Sequence, residues 1–277
     1  MKFVILFVFS YLFAISDYRV VNFCISKHTL AIREFKQNDK EKLLIVNTNT
    51  LKTSIIPKID LKTQCDLKAK YFKLLNQKPK LQNAGITKSK HPVLSVDFCP
   101  SSKRGFDKII FTTLIKKQKN APVIVFMSKN WIKHHKKSFE LLKKWQKEKK
   151  LNILWGNHTA THPYIKHLPL NKNFVLLKGY DLKKDILNNE IYLINNGVTP
   201  SIFFRFPGLI SDKKTLKIVN SLGLIAIGSN TWLAKGEKVT NHSIILIHGN
   251  KNEEKGVKIF LQKLKNIKKL YPLNESL

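Results

Sequence analysis

The sequence predicts an α/β fold built on a parallel sheet or barrel, preceded by a small β-rich extension. Three observations predict it. From Pro92 onward, short apolar runs of strand length alternate with longer segments of helical periodicity. The short runs, such as Pro122-Val123-Ile124-Val125-Phe126, are continuously apolar, the pattern of buried strands in a parallel sheet. Polar residues interrupt the pattern at the C-terminal ends of those runs, where α/β folds gather their chemistry. The chain has 277 residues, 43% of them hydrophobic, which suffices for one large domain with a core and a smaller appendage.

Taken in order, Met1-Lys2 is followed by an apolar run from Phe3 to Ile15, interrupted only by Ser10 and Tyr11. Ala14-Ile15-Ser16 then supplies small residues at the spacing a signal peptidase reads. The run is short for a membrane span, which needs about 20 apolar residues. Residues 1–16 are therefore expected to be a cleaved secretory signal peptide, and the mature protein to be exported, periplasmic or extracellular and associated with the envelope. Export permits disulfides. Of the three cysteines, Cys24 and Cys65 could pair and leave Cys99 free.

Residues 17–90 form the extension. Tyr18–Ile25, Leu30–Phe35 and Lys42–Val46 read as short strands separated by polar turns such as Gln37-Asn38-Asp39, and Ile59–Leu75 has room for a helix. No catalytic signature lies here. Residues 91–277 carry the regular alternation. Strands are expected at Val93–Val96, Pro122–Phe126, Leu151–Leu154, Ser201–Phe204, Leu224–Ile227 and Ser243–Ile247. Helices are expected at Phe106–Lys117, Trp131–Lys149, Leu182–Asn196, Lys213–Leu222 and Gly256–Leu270.

The formal net charge is +32, from 50 basic and 18 acidic residues. Only Arg19, Arg33, Arg104 and Arg205 are arginines, so the excess is lysine spread along the whole chain. Nucleic-acid binders cluster charge on one face and favour arginine forks, so no nucleic-acid partner is expected. A field of this sign does attract anionic envelope polymers.

The organising stretch is Trp155-Gly156-Asn157-His158-Thr159-Ala160-Thr161-His162-Pro163. One helical turn after the strand would bring His158 and His162 to one side, where they could share a metal ion. Such a pair alone is equally what two surface histidines look like. Its company raises its meaning. Asp97 ends the first barrel strand, Arg205 the fourth and His248 the last, while Trp232 follows the fifth. The remaining histidines, His134-His135 among them, match no motif and read as structural or exposed.

These stretches resemble the five motifs of the polysaccharide deacetylase family, carbohydrate esterase family 4. The likeness runs from about Pro92 to Leu270. It is carried by Gly156–Pro163, by Arg205-Phe206-Pro207-Gly208, by Leu246-Ile247-His248 and, loosely, by Trp232. It implies a distorted (β/α) barrel. In the first motif the family usually has Thr-Phe-Asp-Asp-Gly-Pro, whereas this chain has Ser95-Val96-Asp97-Phe98-Cys99-Pro100. The general base is kept as Asp97. The second aspartate, a metal ligand in the family, is replaced by Phe98, which cannot bind a metal. The third protein ligand is left open between Cys99, Asp107 and Asp97 itself.

The resemblance implies hydrolysis of an N-acetyl, less often an O-acetyl, group on a sugar of an acetylated polysaccharide. A divalent metal, zinc by preference, would be held by His158 and His162 and would activate water and polarise the acyl oxygen. Asp97 would be the general base, and Arg205 would hold it ionised by a forked contact. Backbone N–H groups after Asp97 would complete an oxyanion site. His248 would protonate the departing amine and Trp232 would wall the substrate site. The Phe98 replacement keeps open an alternative, a catalytically impaired relative that acts as a carbohydrate-binding protein.

Overall fold

The computed structural model describes residues 15–77, 81, 83–100 and 105–277. The expected signal peptide lies outside the described residues except for Ile15 and Ser16, which open the first strand. Among the described residues no helix is long and apolar enough to cross a membrane.

An antiparallel four-stranded sheet in sequence order comes first: β1 (Ile15–Ser26), β2 (Thr29–Gln37), β3 (Lys40–Asn47) and β4 (Thr53–Pro57). Asn38 and Asp39 join β2 to β3 with φ of 51° and 59°. Asn and Asp tolerate this left-handed backbone, and the tight turn it makes matches the twist of the hairpin. A disulfide between Cys24 and Cys65 ties β1 to the segment after β4 and leaves Cys99 free and buried. A short helix, α1 (Lys70–Leu75), follows.

The second sheet is parallel throughout. Its strands are β5 (Val93–Phe98), β6 (Ala121–Met127), β7 (Leu151–Asn157), β8 (Phe203–Phe204), β9 (Ile225–Ala226), β10 (Thr231–Trp232) and β11 (Ile244–His248). Their order is β10-β11-β5-β6-β7-β8-β9, curled into a half-barrel. Every residue of β5 and β6 is buried, as continuous apolar runs require when helices cover the outer face. The helices are α2 (Lys108–Lys117), α3 (Lys129–His134), α4 (Lys136–Lys147), α5 (Leu182–Asn195), α6 (Lys213–Ser221), α7 (Glu254–Leu264) and the single turn α8 (Leu273–Ser276). The segment before β5 spans the seam between the sheet edges: Ile86 bridges to Ile227 and Lys88 to Ser243.

The antiparallel sheet seals the bottom of this barrel. Leu30, Ile32, Phe35, Leu44 and Val46 share one core cluster with Val93, Ile202, Ile225 and Ile244, residues at or beside the starts of barrel strands. Arg33 of β2 is fully buried in this junction and forks onto Glu190 of α5, with Nε and Nη2 donating at 2.8 and 2.9 Å. Its Nη1 donates to the carbonyls of Ile32 and Leu222, so no polar atom of the guanidinium is wasted.

Three expectations are corrected. The single helix over Trp131–Lys149 is two helices broken at His135, whose φ of −129° and ψ of 37° are not helical and whose ring stacks on Trp131. The closing helix stops at Leu264 rather than Leu270; past it, the Gln118 side chain engages both backbone polar groups of Leu270, which are not in a helix. The stretch after β7 is a loop, not a helical turn, for reasons given below.

Candidate active site

The strand register sets the site. In the β11–β5 pair His248 lies directly opposite Asp97, so these two residues, far apart in the chain, end adjacent strands side by side. Farther round the sheet, past β6, β7 delivers His158 immediately beyond its end, and β8 delivers Arg205. Asp97, Cys99, His158, His162, Trp232 and His248 all line one cavity of about 470 Å³ at this rim.

The two histidines are presented by a loop. Thr159 has φ of 63° and His162 φ of 47°, which no helix permits. Hydrogen bonds hold this shape: the Asn157 side chain accepts from Thr159 N–H, and Thr159 Oγ1 accepts from His162 N–H. The Asp185 carboxylate accepts from the backbone and hydroxyl of Thr161 and from Tyr180. The rings of His158 and His162 still meet, edge to face with centroids 4.7 Å apart. The rings therefore meet without the helical turn expected from the sequence.

The carbonyl of Arg205 can only accept, so His158 Nδ1 carries the proton and donates to it at 2.8 Å. That leaves Nε2 facing the cavity, 3.4 Å from Cys99 Sγ and 3.9 Å from Asp97 Oδ2. Nε2 of His162 is buried with no hydrogen-bond partner. One sulfur and two ring nitrogens, from Cys99, His158 and His162, lie within 4.8 Å of one another. Burial alone would push the Cys99 thiol up, but the imidazoles of His162 and His158 outweigh it and hold the thiol well below its usual range. A donor set of this kind, with an orphaned nitrogen turned inward, fits a divalent transition metal.

Asp107 is not part of this group. It is buried behind the loop that follows β11, accepting from Lys251 N–H at 2.8 Å and pairing with Lys251 Nζ at 3.1 Å. Phe98 points into the core, against Trp131 with centroids 4.3 Å apart.

Arg205 is wholly buried and meets Asp97 through Nη1 alone, at 2.8 Å. The forked contact expected from the sequence is absent. Nη1 also donates to Ser95 Oγ, Nε to the Ile227 carbonyl and Nη2 to the Gly228 carbonyl, so the fork is spent on the barrel wall. The contact still fixes Asp97 Oδ1 and leaves Oδ2 toward His158. Gly208, with φ of 64°, follows in a position where a Cβ would sit 2.5 Å from the Phe174 ring; that ring in turn packs on His162.

On the opposite wall His248 Nδ1 lies 2.8 Å from Glu253 Oε2, and Trp232 Nε1 donates to the same carboxylate at 3.0 Å. Burial lowers the pKa of His248, but Cys99 and then Glu253 outweigh it and hold the imidazolium well above its usual range. Glu253 is a site residue that the sequence reading missed. It sits five positions beyond His248 in an irregular loop, and only the fold shows what it faces.

Residues 84–227 match the family model described as polysaccharide deacetylase. The chain belongs to the polysaccharide deacetylase family. This is a family of hydrolases that act on carbon–nitrogen bonds and are in general metal-dependent. The match takes in Asp97, His158, His162 and Arg205 and stops before Trp232 and His248. Residues 16–81 match a second model, described as RP012 protein N-terminal domain. Among solved structures, the chain is similar to a family 4 carbohydrate esterase from Bacillus anthracis at 19% identity and a TM-score of 0.48, covering 74% of this chain and 90% of that one. A chitin deacetylase from Colletotrichum lindemuthianum is similar at 17% identity and a TM-score of 0.48, covering 70% and 91%. A CE4-family pseudoenzyme from Bacillus anthracis is similar at 12% identity and a TM-score of 0.47, covering 90% and 85%.

Proposed function

We propose that this polysaccharide deacetylase is an exported, metal-dependent hydrolase that removes N-acetyl, less often O-acetyl, groups from a cell-envelope or extracellular polysaccharide. The observation that carries the reading is the meeting of Asp97, His158, His162 and His248 in one cavity at the ends of the barrel strands. Export is supported by the apolar N-terminal run and by the Cys24–Cys65 disulfide, which suits an oxidising compartment.

His158 and His162 would hold the ion, zinc by preference for a nitrogen-rich site. When bound, such an ion supplies Lewis acidity toward water and the acyl oxygen. The residues do the rest. Asp97, with Oδ1 fixed by Arg205, takes a proton from water at Oδ2. His248 gives a proton to the departing amine from Nε2, since Nδ1 is committed to Glu253. Trp232, held through Nε1 by the same carboxylate, forms a wall against which a sugar ring can rest.

The test is acetate release from N-acetylated glycans by the purified chain with zinc. His158→Ala should abolish it, and release that survives loss of both His158 and His162 refutes the reading. A second reading, a carbohydrate-binding relative without activity, is favoured by one observation: position 98 carries no ligand and its side chain is buried in aromatic packing. Glycan binding without metal uptake at micromolar zinc would decide for it.

A further inference from the structure

We propose that Cys99, as thiolate, is the third protein ligand of the metal, so that the centre is a cysteine–histidine–histidine site and not a carboxylate–histidine–histidine one. The proposal rests on the reading that His158 and His162 hold an ion, and it goes further by naming what completes the set and what the set selects.

The alternation of β5 makes the choice. Side chains of an extended run point alternately to its two faces, so Asp97 and Cys99 share the cavity side while Phe98 takes the other. Phe98 stacks among Phe106, Phe111 and Trp131 behind the sheet, so reversing the alternation would put an aromatic ring into the cavity and a carboxylate and a thiol into that cluster. With the aspartate position filled by Phe98, the next donor along the run is sulfur.

The sulfur–nitrogen distance agrees. Donors on a tetrahedral ion, with metal–sulfur near 2.3 Å and metal–nitrogen near 2.0–2.1 Å, lie roughly 3.3–3.6 Å apart. Cys99 Sγ stands 3.4 Å from His158 Nε2. A plain S–H···N hydrogen bond would account for that pair alone. It would not account for the partnerless buried Nε2 of His162, which belongs to the same group of three. The carboxylate candidates are engaged elsewhere, Asp107 with Lys251 and Asp97 Oδ1 with Arg205. Asp97 Oδ2 stands 3.9 Å from His158 Nε2, farther than the sulfur, which leaves it the role of base.

A sulfur ligand changes the preference of the centre. Thiolate favours zinc, cobalt and cadmium over magnesium and calcium, which take oxygen. On binding, the sulfur–hydrogen bond breaks, the electron pair goes to the metal and the proton to solvent.

The experiment is titration of cobalt(II) into the metal-stripped full chain under conditions that keep Cys24–Cys65 oxidised, so that Cys99 is the one cysteine thiol present. We expect a near-ultraviolet sulfur-to-cobalt charge-transfer band alongside the weaker visible cobalt bands. In Cys99→Ser the ultraviolet band should vanish while visible bands persist, with affinity lower by about a hundredfold or more. Zinc should displace the cobalt and protect Cys99 from alkylation, read by mass spectrometry of the intact wild-type chain, a measurement that needs no variant to fold. Cobalt bound with visible bands but no charge-transfer band, or zinc that leaves alkylation unchanged, overturns sulfur ligation and leaves the histidine pair standing as the metal site. No cobalt uptake at all overturns both.

Discussion

Glu253 organises one wall of the cavity. It accepts from the indole of Trp232 and faces Nδ1 of His248, so it holds Trp232 in the wall and leaves Nε2 as the His248 nitrogen free of this contact. Glu253→Gln keeps the shape and removes the charge. We expect kcat to fall by about 10–100-fold, with KM changed far less, because this residue acts through His248. The pH profile gives the sign. The carboxylate helps raise the pKa of His248, so its loss lowers that pKa, and the alkaline limb of kcat, where His248 loses its proton, should move to lower pH. A profile that keeps its shape, with activity lost only through KM, would show that Glu253 merely supports Trp232. At this scale much of the site was legible. Asp97, His158, His162, Arg205 and His248 stand where apolar runs stop, and the chain returns each run to the same rim. Glu253 and Asp185 were not legible, because they act through contacts that no periodicity encodes. Arg205 was read as an orienting fork, but the sequence does not show that Ser95 and the carbonyls of Ile227 and Gly228 claim most of its donors.

β5 divides its labour between its two faces. One end carries Asp97 to the cavity while Phe98 lies in an aromatic group with Phe106, Phe111 and Trp131. Phe98→Asp, which would write the family's usual pair of aspartates, is therefore expected to damage the fold and not improve the metal site. Removing a buried phenylalanine costs about 3–5 kcal/mol, and an unpaired buried carboxylate adds to it. Chemical denaturation should show that loss, and a variant as stable as the wild type with tighter zinc binding would contradict the assignment of Phe98 to the core. Elements with strong periodicity, such as β6 and α5, were plain in the sequence. The histidine loop was not: apolar spacing cannot report the side-chain hydrogen bonds from Asn157, Thr159 and Asp185 that hold Thr159 and His162 in left-handed backbone. Nor could it show Gln118 holding the backbone of Leu270 beyond the end of α7.

Across the whole molecule, the antiparallel sheet is part of the barrel's core. Its role could not be read from residues 17–90, because the partners of Arg33 and of the apolar face of β2 come from α5 and from barrel strands far along the chain. Arg33→Ala leaves Glu190 charged and buried, and should cost about 3–5 kcal/mol. One cooperative transition that shifts as a unit, followed by far-ultraviolet signal and tryptophan fluorescence together, is the expected result, whereas separate melting of the N-terminal sheet would show two independent units. The disulfide adds its own stabilisation there: with a sequence separation of 41 between Cys24 and Cys65, loop-closure entropy gives about 4 kcal/mol. Among the described residues, the two fully buried basic side chains, Arg33 and Arg205, are drawn from the four arginines of a chain that otherwise uses lysine. A guanidinium stays protonated where a buried ammonium would give its proton away. The interior charges are thus permanent, while the outer coat of amines can be acylated, methylated or masked by salt, so that the charge of the surface can change over a wide range with the barrel left as it is.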